Sequence, residues 1–374
     1  MIEPAFSESC RLACKTPFSK GGEQCQKPRG TKKDFQTPYI PWEEDSDEYR
    51  FDLGKYGFPV FSDKNLRLVW AMIKYDSDYN SVKPETVERI FKTVLNGEAK
   101  NDKDTEEINI EEAIEQAVYL TDSVNSTHLA TLRPADMDIL KANQEKEESS
   151  NVFYGEDDSG SDKDKYRTDD ESEGKNQSKL NGRFMTAWEI VNNIDDLARL
   201  IKGGDENAVF KIAHYSEKYA KEQLGIEIKK NNYSFATKFC HHACVKGLDR
   251  DLFCIFDAVV ANILPYYIWV YAGRDAPDFD RYNRCRCKYN ALNKFLNDCK
   301  EDRSVAGYRQ FREYYDEVRE GINAWRKSNG QTGLKVPEIS EDGSITYQHI
   351  DKLIWYYFKG RSDKETARLK DMIK

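Results

Sequence analysis

The sequence predicts a mainly α-helical protein with two helical domains joined by an acidic, disordered linker. Apolar residues recur at helical spacing over much of the chain, while the alternation typical of strands is rare. Between the two predicted domains, residues 143 to 182 hold 12 acidic and 6 basic side chains and hardly an apolar residue. Such a segment buries too little apolar surface to offset its chain entropy. We therefore predict a disordered acidic linker at 143–182 and a domain boundary there.

Residues 1–50 are predicted as an irregular N-terminal arm, because they are polar and interrupted by proline and glycine. Cys10, Cys14 and Cys25 lie in this arm. They are either three zinc ligands that require a fourth, or exposed thiols in a loose tail. The C-x3-C-x10-C spacing is not a typical zinc pattern, and both interpretations stay open.

Residues 51–142 are predicted as a small helical domain. Pro84 suits the first turn of a helix and Asn96-Gly97 suits its end. The other predicted helices of this segment begin near Asp63, run from about Asn109 to Tyr119, and start at Pro134. None of these helices carries a pattern that indicates a particular chemistry.

Residues 183–374 are predicted as a second helical domain of about seven helices. The apolar positions that define them begin with Phe184, Trp188, Val191, Ile194 and Leu197, which fit one helix face. A second helix ends near Gly225, a third spans the segment after Asn232, and a fourth begins near Leu252. Later helices are predicted around Tyr289 to Leu296, Tyr308 to Val318, and Ile345 to Phe358.

Composition limits the classes of function. The 374-residue chain carries a net charge of −9, yet residues 183–374 hold 28 acidic and 32 basic side chains. This mildly basic part permits a polyanion such as DNA as a partner. No run of about 18 apolar residues predicts a transmembrane helix. The beginning of the chain lacks the pattern of a secretory signal, and nine clustered cysteines favour reduced thiols. We therefore predict a cytoplasmic protein without a membrane partner.

The segment Tyr233 to Cys244, followed by Cys254 to Val260, is the most informative part of the sequence. It places Lys238 and Asp257 among apolar neighbours. A buried lysine or aspartate is costly unless it is paired. A desolvated lysine also has a lowered pKa and becomes a usable nucleophile. For Lys238 the alternative is a side chain whose amine extends to solvent. For Asp257 it is the N-cap of a helix beginning at Ala258.

The same segment contains potential metal ligands. Cys240 and Cys244 lie one helical turn apart, with His241 and His242 between them and Cys254 further along. Two ligands of a helical zinc site can be arranged in this way. However, adjacent histidines point in different directions on a helix, and cysteine is common in cores as a small hydrophobic residue. We predict no metal and no cofactor, and regard His241 and His242 as candidate nucleic-acid-binding residues.

The segment from Arg281 to Tyr289 alternates basic and aromatic residues. Arg281, Arg284 and Lys288 fall on one helical face, which suits contacts with phosphates. The alternative is a solvated helix face whose charges balance the aspartates just upstream.

Three pieces of the chain together resemble a group of poorly characterised bacterial proteins. The pieces are Phe235-Ala-Thr-Lys-Phe-Cys240 with His242, Ile255-Phe-Asp-Ala-Val-Val260, and Ile350-Asp-Lys-Leu-Ile-Trp355. The resemblance covers residues 183 to 360, about half the chain.

More distantly, Lys238 followed 19 residues later by Asp257 is similar to the helix-hairpin-helix DNA glycosylases of the 8-oxoguanine type. The resemblance implies that Lys238 attacks the sugar C1′ of an extruded nucleotide while Asp257 assists. Phe239, Tyr266, Tyr267 and Trp269 would supply stacking surface. The glycine-rich hairpin of that superfamily is absent before Lys238.

Two hypotheses follow. In the first, the chain is a DNA glycosylase-like protein that excises or recognises a modified base, with Lys238 and Asp257 at its centre. In the second, it is a non-catalytic interaction or host-defence protein in which Lys238 and Asp257 form a structural pair. The sequence leaves the oligomeric state and the role of the N-terminal part open.

Overall fold

A computed structural model describes residues 50–75, 82–97, 108–125, 182–228, 232–274, 305–331 and 343–359. These residues are mainly helical, as predicted. They form ten helices, with one isolated antiparallel bridge between Leu53 and Pro59. The helices are α1 (Asp63–Tyr75), α2 (Pro84–Asn96), α3 (Ile110–Asn125), α4 (Gly182–Asn192), α5 (Ile194–Gly203), α6 (Asn207–Leu224), α7 (Tyr233–Leu248), α8 (Ala258–Ala272), α9 (Val305–Ser328) and α10 (Tyr347–Phe358).

Several helix limits follow directly from sequence signals. Pro84 opens α2, and Gly97 ends it in the left-handed conformation, with its amide donating to the Thr93 carbonyl. Asn109 accepts a hydrogen bond from the Glu112 amide and so caps α3. This helix extends beyond its predicted end at Tyr119 to Asn125. The predicted end of α6 at Gly225 is confirmed.

One predicted helix is in fact two. The face from Phe184 to Leu197 is divided at Asn193, whose φ of −127° leaves the helical region, so that α4 ends and α5 begins there. The acidic pair Asp195 and Asp196 lies in the first turn of α5. Carboxylates there stabilise the partial positive charge of a helix N-terminus, which favours a new start over continuation.

The helices share one hydrophobic core. In it α2 packs between α3 and α7, α6 packs against α4 and α7, and α8 packs against α9 and α10. The core includes Phe58 and Phe91 from the early part of the chain and Phe239 and Phe358 from the later part. A smaller cluster around Met185 and Tyr219 lies between α4 and α6.

The early helices are therefore packed directly onto the later ones. Gly247 of α7 lies so close to α2 that a Cβ there would meet the Phe91 carbonyl oxygen at 3.0 Å and Leu95 Cδ1 at 2.7 Å. The loop before α1 is also bound to the later part, since Tyr267 donates to the Pro59 carbonyl and Arg326 to that of Phe61. Two separate domains are not confirmed, because the described parts of 51–142 and 183–374 have a common core.

Several predictions concern residues outside the described ranges. These are the irregular arm up to residue 49, the helix at Pro134, the acidic linker up to residue 181, and the helix from Tyr289 to Leu296. In the part of 183–374 that the structure does describe there are seven helices. The predicted total of about seven counted the face from Phe184 to Leu197 as one helix and included the helix from Tyr289 to Leu296, so that total stays a prediction. Within the described ranges, none of the helices has the length and apolar character needed to cross a bilayer.

The contact between α8 and α9 provides a test of this packing. A Cβ on Gly321 would lie 2.0 Å from the Tyr271 carbonyl oxygen, which is backbone and cannot rotate away. We expect Gly321→Ala to lower the free energy of unfolding by about 3 kcal/mol, measured by urea denaturation. Gly203→Ala is the matched control, because nothing lies within 4 Å of its added Cβ. Equal stability of the two variants would contradict the close approach of α8 and α9.

Candidate functional site

Lys238 is buried in the middle of α7. Its relative exposure is 4%, and its helix neighbours Phe235 and Phe239 both lie in the core. The alternative in which its amine extends to solvent is therefore wrong. A lysine held in this way needs a counter-charge nearby, because an isolated ammonium group is costly to remove from water.

Asp257 supplies that counter-charge. Its Oδ2 lies 3.2 Å from Lys238 Nζ, and both side chains are at most one-tenth exposed. Its Oδ1 accepts a hydrogen bond of 2.9 Å from the Val260 amide, so the residue is also the N-cap of α8. The capping role expected as an alternative is confirmed, and it coexists with the ion pair because each carboxylate oxygen has a different partner.

Helix α8 consequently begins at Ala258, not near Leu252 as predicted. Residues 251–257 lie outside the helices, and three tertiary hydrogen bonds occupy backbone groups of this segment. Phe256 donates its amide to Thr237 Oγ1, His241 donates to the Phe253 carbonyl, and Tyr308 donates to the Cys254 carbonyl. In addition, the Asp251 side chain accepts from the Gln348 amide at the start of α10. These bonds fix the segment that presents Asp257 to Lys238.

A second pair of charged residues adjoins the first. Asp351 and Lys352 of α10 are 4% and 6% exposed, and Lys352 Nζ lies 3.9 Å from Asp351 Oδ2. Burial raises the pKa of Asp351, while the charges of Lys352 and Lys238 lower it and that of Asp257 raises it further. The negative charge of Asp351 therefore acts within the same electrostatic environment as the Lys238–Asp257 pair.

Sequence reasoning missed Asp351 and Lys352 as site residues. They lie in the Ile350-Asp-Lys-Leu-Ile-Trp355 segment, which was used only for its resemblance to other proteins. The available signal was two adjacent charges inside a stretch whose other residues are apolar. This is the same signal that singled out Lys238 and Asp257.

His241 and His242 occupy different environments, as expected for neighbours on a helix. His241 is 1% exposed, and its Nδ1–H donates to the Phe253 carbonyl at 2.7 Å. Burial lowers the pKa of His241 to about 4, so the ring is neutral at pH 7. In this arrangement His241 is a core residue and is not open to a backbone phosphate. His242 is half-buried and packs against Phe91.

The pKa of His242 is lowered first by burial and then by the charges around it. These include His241, Lys352, Lys246 and Lys238. The other predicted nucleic-acid-binding residues, Arg281, Arg284 and Lys288, lie outside the described residues. Their role stays a prediction.

The cysteines of the motif pack as small apolar side chains. Cys240, Cys244 and Cys254 are free and buried, and burial raises the pKa of each thiol. In the described ranges, no group of three or more histidine, cysteine, aspartate or glutamate side chains is placed to hold a metal ion. Cys10, Cys14 and Cys25 fall outside those ranges, as do Cys285 and Cys287, which could join the cysteines of the motif in a zinc site.

The comparisons add no relative: no family model, curated protein or solved structure matches the chain. The case for a function therefore depends on the geometry of the buried charges and on the resemblance of the sequence motif.

The neutral state of His241 predicts a pH dependence of stability. Its folded-state pKa of about 4 is below the ordinary value of 6.5, so the unfolded chain binds the proton more tightly. Neutral His241 therefore stabilises the folded state fully above pH 6.5. This stabilisation, about 3 kcal/mol, is lost as the pH falls toward 4. Burial raises the pKa of Asp251 to about 6. Asp251 therefore increases the free energy of unfolding as the pH falls below about 6, which offsets part of the loss from His241.

Comparison with His241→Gln isolates the histidine. We expect the difference in unfolding free energy between wild type and this variant to shrink as the pH falls from 6.5 to 4, measured by chemical denaturation at each pH. A constant difference would contradict the lowered pKa of His241 in the folded state.

Proposed function

We propose that the chain is a DNA glycosylase-like protein in which Lys238 is the nucleophile and Asp257 its acidic partner. The observation that carries the proposal is the 3.2 Å distance between Lys238 Nζ and Asp257 Oδ2. The same Asp257 carboxylate caps α8. The amine belongs to α7, and the carboxylate lies at the start of α8. Tertiary hydrogen bonds fix the segment that leads to Asp257. An adjacent base of this kind can activate an amine nucleophile.

The pair provides the groups that base excision with a lysine nucleophile needs. Lys238 Nζ, once it has given a proton to Asp257, attacks C1′ of an extruded nucleotide. The bond from C1′ to the base breaks, and its electron pair leaves with the base, which takes up a proton. Asp257 gives the proton that it accepted to the departing base, and its restored carboxylate stabilises the positive charge that develops on the sugar. The bond from C1′ to the ring oxygen then breaks with its electron pair on oxygen, which takes up a proton lost by Lys238 Nζ, and a protonated imine between C1′ and Lys238 remains.

Three features support a DNA partner in the cytoplasm. Residues 183–374 carry more basic than acidic side chains. Of the four aromatic residues expected to supply stacking surface, Phe239, Tyr266 and Tyr267 are buried in the core, whereas Trp269 is partly exposed beside Tyr56. The accessible part of the Trp269 ring can stack on a base. The free thiols of Cys240, Cys244 and Cys254 suit a reducing compartment.

Borohydride trapping tests the nucleophile. We expect the full-length wild type to form a covalent adduct with duplex DNA that carries a damaged or modified base, and Lys238→Gln to form none. Lys221→Gln, an exposed lysine on α6, is the matched control and should retain the adduct. Adducts are counted by denaturing electrophoresis after reduction. An absence of adduct and of base release across a broad panel of bases would exclude this function.

Asp257→Asn separates the two roles of the aspartate. Asparagine is as good an N-cap as aspartate, so the hydrogen bond to the Val260 amide can remain while the charge is lost. We expect α8 and the fold to persist, measured by circular dichroism, and the rate of adduct formation to fall about 100-fold. An unchanged rate would remove Asp257 from the proposed chemistry.

A second candidate function is a non-catalytic interaction protein in which the pair is structural. The observation that favours it is the burial of both side chains, which are only 5% and 10% exposed. In this case the ion pair serves to join α7 to the start of α8.

Stability of the double variant distinguishes the two candidates. Removing one member of a buried pair destabilises by about 3–5 kcal/mol, whereas replacing both is often neutral. For a catalytic pair we expect Lys238→Met with Asp257→Asn to regain most of the stability that Lys238→Met loses, measured by urea denaturation. If the double variant is no more stable than Lys238→Met, the charges are required for the fold and the structural role is favoured.

A further inference from the structure

Thr237 joins α7 to the segment before α8 at a point next to the ion pair. It is the residue before Lys238, and its hydroxyl accepts a hydrogen bond of 3.1 Å from the amide of Phe256, the residue before Asp257. The hydroxyl proton can go to the carbonyl oxygen of Ser234 at 3.3 Å or to that of Phe256 at 3.4 Å. Thr237 is completely buried, with an exposure of 0%. One hydroxyl thus connects the backbone beside the amine to the backbone beside the carboxylate.

The other described bonds to the backbone of this segment lie farther from Asp257. His241 bonds to the carbonyl of Phe253, and Tyr308 bonds to that of Cys254. Both carbonyls precede Phe256 in the chain, so a shift at Phe256 can reach Asp257 while these two bonds remain. The Thr237 hydroxyl is therefore the contact best placed to fix the Asp257 backbone.

The distance between Lys238 and Asp257 is sensitive to small movements. Asp257 Oδ2 lies 3.2 Å from Lys238 Nζ. A proton passes directly between two groups over about 2.6–3.2 Å, so the pair is at the upper end of that range. The other oxygen, Oδ1, is bound to the Val260 amide, and the carboxylate cannot turn toward the amine without losing the cap of α8. Lys238 is itself enclosed in the close-packed core, which restricts how far its amine can follow.

We propose that Thr237 is a positioning residue whose hydroxyl sets the distance between Lys238 Nζ and Asp257 Oδ2. Without the hydroxyl, the Phe256 amide loses its acceptor, and an interior N–H group that lacks a partner moves to find one. That movement displaces the next residue, Asp257. In the proposed function Lys238 gives a proton to Asp257 before it attacks C1′, so the distance governs the rate of adduct formation. This catalytic consequence rests on the proposed function, whereas the control of the distance does not.

Three variants of the full-length protein separate the hydroxyl from the rest of the side chain. Thr237→Val keeps the shape of threonine and removes the hydroxyl, and Thr237→Ser keeps the hydroxyl and removes the methyl group. Thr186→Val is the matched control. Thr186 is equally buried, and its hydroxyl bonds to that of Ser216 at 3.0 Å, which joins α4 to α6 and not α7 to α8.

The coupling energy between Lys238 and Asp257 tests the positioning role without DNA. It is obtained by urea denaturation from the stabilities of Lys238→Met, Asp257→Asn and the double variant, each compared with the same background. We expect about half or more of the wild-type coupling to be lost in the Thr237→Val background. It should be retained with Thr237→Ser and with Thr186→Val. A threonine that only stabilises the fold would lower all four stabilities equally and leave the coupling unchanged.

Borohydride trapping tests the catalytic consequence, with duplex DNA carrying the modified base that gives the most wild-type adduct. We expect Thr237→Val to lower the maximal rate of adduct formation about 10- to 100-fold, because a misplacement on the order of 1 Å has an effect of this size. The protein concentration that gives half the maximal rate should not change, since a buried hydroxyl does not contact DNA. Thr237→Ser should restore the maximal rate, and Thr186→Val should keep it.

The possible results distinguish the two claims. Unchanged coupling in Thr237→Val, or an equal loss in Thr237→Ser, would overturn the positioning role whether or not an adduct forms. Reduced coupling with a wild-type rate would overturn only the catalytic consequence. A wild type that forms no adduct would overturn the proposed function, and the coupling energy would still decide the role of Thr237. If Thr237→Val does not fold, Thr237→Ser decides: wild-type coupling supports the role of the hydroxyl, and reduced coupling overturns it.

Discussion

The contact between Lys238 and Asp257 is the constraint on which the rest of the site depends. Two opposite charges in a core are tolerated only when each satisfies the other and when the remaining lone pairs and protons have partners. Asp257 meets this condition because its two oxygens have different partners. One lies beside the Lys238 amine, and the other accepts a hydrogen bond from the Val260 amide. The start of α8 and the position of α7 are therefore set by one carboxylate.

The surrounding charges follow from the same requirement. Asp351 and Lys352 bring a second carboxylate and a second amine into the same low-exposure region. Burial favours the neutral forms of Asp351 and His241, since its effect is to raise the pKa of the acid and to lower that of the base. The centre of the protein thus contains further titratable side chains besides the Lys238–Asp257 ion pair.

Much of the fold could be predicted from the sequence because helix signals are local. Apolar spacing, Pro84, Gly97 and Gly225 correctly indicated helices and their ends. Asp257 was identified both as a buried charge and as a possible cap, and it is both. The divided helix at Asn193 was missed because the apolar face continues across it, while the break is encoded only by polar residues at a helix start.

The parts that could not be predicted depend on contacts between distant segments. The segment before Asp257 has an apolar pattern that also suits a helix, yet it is not helical, and its backbone groups bond to Thr237, His241 and Tyr308 instead. Asp351 lies 94 positions after Asp257, so no spacing rule connects them. The packing of α2 against Gly247 could not be predicted either. A small residue on a helix permits close packing but does not indicate which helix packs there.

The Asp251–Gln348 hydrogen bond has a consequence for motion. The segment that carries Asp257 is held at one end by the amide of Gln348 in α10 and further along by Tyr308 in α9. Local opening of this segment would remove the bond from Asp251 to the start of α10. It would also leave the buried Tyr308 hydroxyl without the Cys254 carbonyl as its acceptor. Such a segment does not fray independently but belongs to the most cooperative unit of the protein, so its amides should exchange with solvent only as the helices that hold it unfold.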